Sequence, residues 1–384
     1  MRKVSSIIIA ILIFINIAAC GTQKETQFVQ TTSEETTTTA AVVTETTGVQ
    51  NKVESENESV EIRKWTDSLG RTVEIPKEVG KIALSGPMAQ IVLYALSPEK
   101  LVGFSADWSE DVREYIPEEY LKLPTLGQLY GGKGEINLEE LLKAAPDVVI
   151  DIGEPKKSAK EDLNNLSEQT GIPFVHVTLT METASDAFRM LGDLLGLEER
   201  AETYALYCEE VYNRAKEIIE NVGEENLVNF LYVTGDEGLN VIAKDSYHAE
   251  IIDMFTNNLA IVEEPSSKGT GNEIDMEQIL VWNPEYVIFA PNSIYGKVEE
   301  MSEWHNVSAI RDGNYWETPF GPYNWMGFPP SVQRYLGMLW MPQVLYPEYV
   351  TYDLKEEVVK YYEMFYHCSL TDEQYDRLTK NSLK

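Results

Sequence analysis

The chain has 384 residues, with 31 Lys or Arg against 63 Asp or Glu, for a formal net charge of −32. So acidic a balance argues against nucleic-acid binding, which needs concentrated basic side chains to meet phosphate. The four histidines and three cysteines show no HxxxH or CxxC spacing, and there is no GxSxG elbow. A zinc site, any other protein-held metal and a nucleophilic triad are therefore all unsupported.

Residues 1–20 read as a targeting segment. Arg2 and Lys3 give a positive start, residues 7–15 an apolar core, and Ile17-Ala18-Ala19-Cys20 small residues ahead of a cysteine. The segment is too short and too small at its end to be a spanning helix. Ile-Ala-Ala-Cys resembles the bacterial lipobox, which implies lipidation at Cys20 and tethering to the outer side of a membrane. Residues 21–60 are rich in Thr, Glu, Ser, Gln and Asn. Such a stretch buries too little apolar surface to offset its ordering entropy, so it reads as a disordered tether with a reach of roughly 35 Å.

The remaining body is long enough for two α/β lobes with separate cores. The first is expected over 61–181. Trp65 to Val73 reads as a strand and turn around Gly70, followed by strands at Lys81-Ile82-Ala83-Leu84, Val102-Gly103-Phe104, Val148 to Ile152 and Phe174 to Val177. Open parallel sheets bind ligands beyond the carboxyl ends of their strands. That rule makes Ser85, Met88, Trp108 and Tyr130 candidate ligand contacts. The run Gly131-Gly132-Lys133-Gly134 lacks the spacing of a phosphate-binding loop and reads as a surface loop.

Residues 182–222 carry apolar positions at helical spacing, through Ala187, Leu191, Leu194 and then Ala201, Tyr204, Cys208, Val211, Ala215 and Ile218. Gly196 is expected to break this connector into two helices. The second lobe, over 223–384, opens with a strand at Leu227 to Val233. Tyr247 and His248 start an amphipathic helix, Tyr286 to Phe289 and Tyr315-Trp316 read as strands, and helices are expected after Ser331 and over Leu354 to Phe365. Between them, Thr318 to Pro330 combines Pro and Gly with aromatics and can be neither helix nor central strand. Its Tyr323 and Trp325 join Tyr247 and His248 as candidate ligand contacts, because an aromatic loop should pack on protein or on a ligand. His176, inside an apolar strand, reads as a satisfied core histidine. Cys208 and Cys368 either pair or remain thiols; spacing leaves both open.

The two lobes share a motif. Asn137-Leu138-Glu139-Glu140-Leu141-Leu142 leads to Pro146-Asp147-Val148-Val149-Ile150, and Asp275-Met276-Glu277-Gln278-Ile279-Leu280 leads to Pro284-Glu285-Tyr286-Val287-Ile288. Each reads as a capped short helix, stopped ahead of Pro, feeding a buried strand. Glu139 and Glu277 occupy the same slot; singly, each is a first-turn glutamate favoured by the helix dipole.

With Asp67-Ser68-Leu69-Gly70-Arg71-Thr72-Val73, the connector and Pro329-Pro330-Ser331, these motifs resemble the substrate-binding lipoproteins of bacterial ABC importers. They resemble in particular the helix-linked class that carries ferric siderophores, haem and corrinoids, over residues 61 to 384. The resemblance implies two Rossmann-like lobes joined by a rigid backbone helix, with a ligand cleft between them. It implies a monomeric, extracytoplasmic, non-enzymatic receptor without a cofactor, whose partners are an ABC permease with its ATPase and a small metal chelate. Glu139 and Glu277 stand where the family's glutamates meet the permease. Two other readings are a molybdate or tungstate receptor of the same fold and a surface enzyme acting on metal chelates. Basic loop residues are few (Lys133, Lys244), which points to a neutral or weakly charged chelate.

Overall fold

The computed structural model describes residues 61–110, 112–130 and 135–384. The targeting segment, Cys20, the tether and the Gly131–Gly134 run with Lys133 lie outside the described residues. None of the described helices is long and apolar enough to cross a membrane.

Strands β1 (Ile62–Thr66) and β2 (Thr72–Pro76) form an antiparallel hairpin whose turn holds Gly70 at a φ of 73°. Asp67 explains this motif. Its carboxylate accepts from the backbone N–H of Leu69 and Arg71, from the Arg71 guanidinium at 2.6 Å, and from the N–H of His176. The hairpin is thereby pinned to the first sheet.

That sheet consists of β3 (Ile82–Leu84), β4 (Val148–Gly153) and β5 (Phe174–Thr178), all parallel and in that order. Its apolar runs are buried on both faces, as parallel strands require. Helices α1 (Pro87–Leu96), α2 (Leu138–Ala144) and α3 (Ala159–Thr170) belong to this lobe. The strand expected at Val102-Gly103-Phe104 shrinks to isolated bridges at Leu101 and Phe104. Gly103 lies so near its neighbours that a Cβ there would come within 2.6 Å of the Pro124 carbonyl oxygen.

Helices α4 (Ala184–Leu195) and α5 (Glu198–Val222) meet at Gly196, which takes the left-handed conformation at φ 67°. They pack on each other as a hairpin. A Cβ at Gly192 would lie 2.6 Å from the Ala201 methyl, so glycine there permits the close approach. The long crossing is therefore α5 alone, not one continuous rod over 182–222.

The second sheet has six strands: β6 (Asn229–Thr234), β7 (Asn240–Val241), β8 (Asn257–Asn258), β9 (Asn272–Glu273), β10 (Tyr286–Phe289) and β11 (Tyr315–Glu317). Its centre, β11-β10-β6, is parallel, and β7 and β9 add an antiparallel edge. Around it lie α6 (Glu250–Phe255), α7 (Met276–Trp282), α8 (Ser308–Arg311) and α9 (Arg334–Leu345). The chain closes with α10 (Leu354–Phe365) and α11 (Asp372–Thr379), the latter begun by a Thr371–Gln374 capping box.

The architecture is the expected two-lobed α/β fold with separate sheets. Each lobe has a core cluster of its own, around Leu141, Val149 and Phe174 in the first and Val233, Val287 and Trp304 in the second, and a third, larger cluster joins them. This larger cluster runs from Ile82 and Leu84 through Leu191, Tyr204 and Val211 to Tyr335, Leu339 and Phe365, so the lobes share a core through α5. Helix α10 returns to the first lobe, where Tyr94 donates to the Tyr366 carbonyl at 3.2 Å. Cys208, buried, and Cys368, half-buried, are both free thiols.

Candidate ligand cleft

In the first lobe, β3 delivers Ser85 to the carboxyl edge of the sheet. Its hydroxyl donates to Asp151, whose second oxygen is 2.7 Å from Nδ1 of His176; the other ring nitrogen is 3.2 Å from the Thr178 hydroxyl. All of Ser85, Asp151 and His176 are buried. The carboxylate sits between the serine and the histidine, so the imidazole does not meet the hydroxyl and the order is not that of a Ser-His-Asp triad. His176 is the satisfied core histidine its strand pattern suggests.

Met88, in the first turn of α1, lies over Gly153. A Cβ at that glycine would come within 2.1 Å of the methionine methyl, and Gly153 has a φ of 134°. The Met88 carbonyl in turn accepts from Ser331 of the second lobe at 3.2 Å. Trp108 packs against Tyr94 and Phe104 and, across the lobes, against Tyr323 at 5.6 Å between ring centroids. Gln90 locks this contact, donating to the Tyr323 hydroxyl at 3.0 Å while its carbonyl oxygen accepts from Ser105. Burial raises the Tyr323 phenol, which stays neutral. The Tyr130 hydroxyl donates to Asp162 of α3 at 3.0 Å, and its carbonyl oxygen lies beside Gly86.

In the second lobe Tyr247 and His248 occupy a single helical turn ahead of α6. The Tyr247 hydroxyl reaches into the first lobe and donates to the Leu179 carbonyl at 2.6 Å. Burial pushes its phenol up to about 12. His248 is 8% exposed, with Nε2 3.3 Å from the Ser267 carbonyl oxygen. Burial and then the Arg334 cation hold its basicity down, and Lys156 of the first lobe acts the same way. Trp325 corrects the expectation from sequence. It is fully buried in the core, so its indole packs protein and does not line the cleft.

Residues that support these contacts were missed from the sequence. Arg334, at the start of α9, is fully buried and pairs with Glu250 at 2.5 Å. Removing one partner of such a pair typically costs about 3–5 kcal/mol. Its signal was legible: a lone cation among Val332, Tyr335, Leu336 and Leu339 on an apolar helix. Phe328, 56% exposed, lies against Gly269, where a Cβ would meet its ring at 2.0 Å. A hollow of about 590 Å³ lies beside the connector, lined by Tyr120, Arg200, Tyr204 and His367, and it contains none of the candidate contacts.

Glu139 and Glu277 are exposed at matching positions on α2 and α7. Both helices have seven residues and a side-chain N-cap, from Asn137 to the Glu140 N–H and from Asp275 to the Gln278 N–H. Both end in a left-handed residue, Ala145 or Asn283. Neither glutamate enters an ion pair among the described residues. No cluster of His, Cys, Asp and Glu among them is arranged to hold a metal ion.

Two α/β lobes, each built on parallel central strands, with a long helix between them and loops that touch across the lobes, define a two-lobed solute-binding fold. The sequence model described as Periplasmic binding protein matches residues 86–320, and the chain belongs to that family. Among solved structures, an ABC transporter solute binding protein from Sulfurospirillum deleyianum is 26% identical with a TM-score of 0.76, covering 83% of this chain and 99% of its own. A periplasmic solute binding protein from Veillonella parvula is also 26% identical, with a TM-score of 0.68 and coverage of 84% and 98%. The molybdate periplasmic binding protein MolA of Haemophilus influenzae shares the fold at 19% identity and a TM-score of 0.65, over 80% and 99% of the two chains. No curated protein matches. The protein is thus an extracytoplasmic solute-binding component of an ABC transporter, a class that works with a permease and an ATPase and serves transport.

Proposed function

We propose that the protein captures a metal chelate (a siderophore, haem or corrinoid) between its lobes and delivers it unchanged to the permease. The observation that carries this reading is the contact between loops of the two lobes at Met88, whose carbonyl accepts from Ser331, and at the aromatic residues Trp108, Tyr247 and Tyr323. Flat apolar groups with few fixed polar ones suit a macrocycle or catecholate. Glu139 and Glu277 are the permease-docking residues in this reading, and Ser85, Tyr130 and His248 remain candidate contacts. Cys20 is the lipid-bearing residue that anchors a monomer to the membrane, with 61–181 and 223–384 as the lobes around the connector at 182–222.

A second reading has its own support. Lys156 of the first lobe lies close enough to His248 to lower its basicity, and one lysine beside a neutral imidazole that can donate a ring N–H would suit an oxyanion such as molybdate or tungstate. Titration of tryptophan fluorescence with a ferric catecholate, haem, cobalamin and molybdate separates the two. Saturable quenching by a chelate is the expected result. Binding of molybdate alone would replace the chelate by an oxyanion, and turnover of a chelate would make the protein an enzyme.

A further inference from the structure

We infer that Arg334 is the positioning residue of the cleft: it sets the cleft wall by holding Tyr247 and, through Glu250, joins that wall to the segment 179–181 of the first lobe. The inference rests on the cleft reading above, and Arg334 acts without touching the cargo. Its side chain is fully buried, so a solute in the cleft meets the residues it holds.

The geometry distributes one guanidinium over three structures. One nitrogen is 2.5 Å from a Glu250 oxygen, and another donates to the Tyr247 carbonyl at 2.6 Å. The guanidinium carbon lies 5.0 Å from the Tyr247 ring centroid, so the same cation fixes both the backbone and the face of that tyrosine. Gly327, at a φ of 113°, brings a third loop against Arg334. A Cβ there would lie 2.5 Å from the Arg334 Nε, so any larger residue would lift the Phe328 loop away.

Three hydrogen bonds lead from this group to the same short segment between β5 and α4. Glu250 uses its other oxygen to accept from the Met181 N–H at 2.8 Å. Tyr247 donates to the Leu179 carbonyl, and Tyr335, the neighbour of Arg334, donates to the Met181 carbonyl at 2.8 Å. Segment 179–181 is where the first lobe's sheet gives way to the helical hairpin. A planar fork can serve Glu250 and Tyr247 together, whereas the compact ammonium of lysine cannot reproduce both contacts. The wall that meets the cargo and the segment 179–181 of the first lobe are thereby coupled through one side chain.

The test compares wild type with Arg334→Lys and Glu250→Gln in the intact body, using amide exchange and stopped-flow binding of a ferric catecholate. In both variants, protection of the Met181 amide should fall about tenfold while the interior of α9 stays protected. For Arg334→Lys this is an effect on a group the arginine does not touch. The off-rate for the probe should rise about tenfold with the on-rate nearly unchanged. Glu250, partly exposed, keeps the test open if the arginine variant does not fold. Unaltered Met181 protection and off-rate, with only a lower melting temperature, would overturn the inference and leave Arg334 a local strut. If wild type binds no ferric catecholate, the chelate reading fails separately, and the exchange measurement still decides the coupling.

Discussion

The unit α2–β4 in the first lobe and the unit α7–β10 in the second are alike at one end and different at the other. At the outer end the match extends to detail: side-chain caps at Asn137 and Asp275, fully buried Leu141 and Ile279, exposed Glu139 and Glu277, and left-handed stops at Ala145 and Asn283. Even the exposed apolar position recurs, as Leu142 and Leu280. At the inner end β4 runs on to Gly153 under Met88, while β10 stops at Phe289 ahead of Ala290 and Pro291. Two like outer surfaces suit a partner that offers like surfaces, and two unlike inner edges suit one asymmetric small molecule.

The comparison breaks most visibly at the two glutamates. Glu139→Arg with Glu277→Arg should abolish transporter-dependent uptake and leave solute affinity within twofold, since surface charges away from a site change its energetics little. Loss of solute binding in that variant would place the glutamates in the cleft instead. Next come the buried anchors: Leu141→Ala and Ile279→Ala should each cost about 2–5 kcal/mol in denaturant unfolding. A large difference between them would show that the matching geometry conceals unequal packing. The caps are smaller. Asn137→Ala and Asp275→Ala should each cost about 1 kcal/mol by the same measurement.

The smallest effect is electrostatic and belongs to the inner edge alone. His248 has a lowered pKa in the folded protein, from burial and then Arg334. The unfolded chain therefore binds the proton more readily, and stability falls as the pH drops through the ordinary histidine value near 6.5 toward the folded one. His248→Gln should flatten this slope in a series of melts between pH 7.5 and 5. One proton can account for at most roughly 1.4 kcal/mol for each pH step of one. An unchanged slope would assign the acid sensitivity to other groups.

The elements legible in sequence were those written in local periodicity. Helix α10, the break at Gly196, strand β10 and the repeated capped helices all appear where spacing and caps place them. Strand Val102–Phe104 failed because its residues have the right composition but only single bridges to pair with. The cleft was half legible. Strand-end position singled out Met88 and Trp108, a helix start Tyr247, and the aromatic-loop argument Tyr323, and all four make contacts between the lobes. The loop argument could not distinguish Trp325, an aromatic from the same loop that turns into the core. Arg334 was missed although a lone cation on an apolar helix marks it; its partner Glu250, 84 residues away, has no local pattern to reveal the pairing.

The shared core has a thermodynamic corollary. Because apolar packing continues from the first sheet across α5 to α9 and α10, neither half retains a complete interior once the other has melted. Calorimetry of the body should therefore record a single endotherm whose van't Hoff and calorimetric enthalpies agree, as for a cooperative one-domain protein.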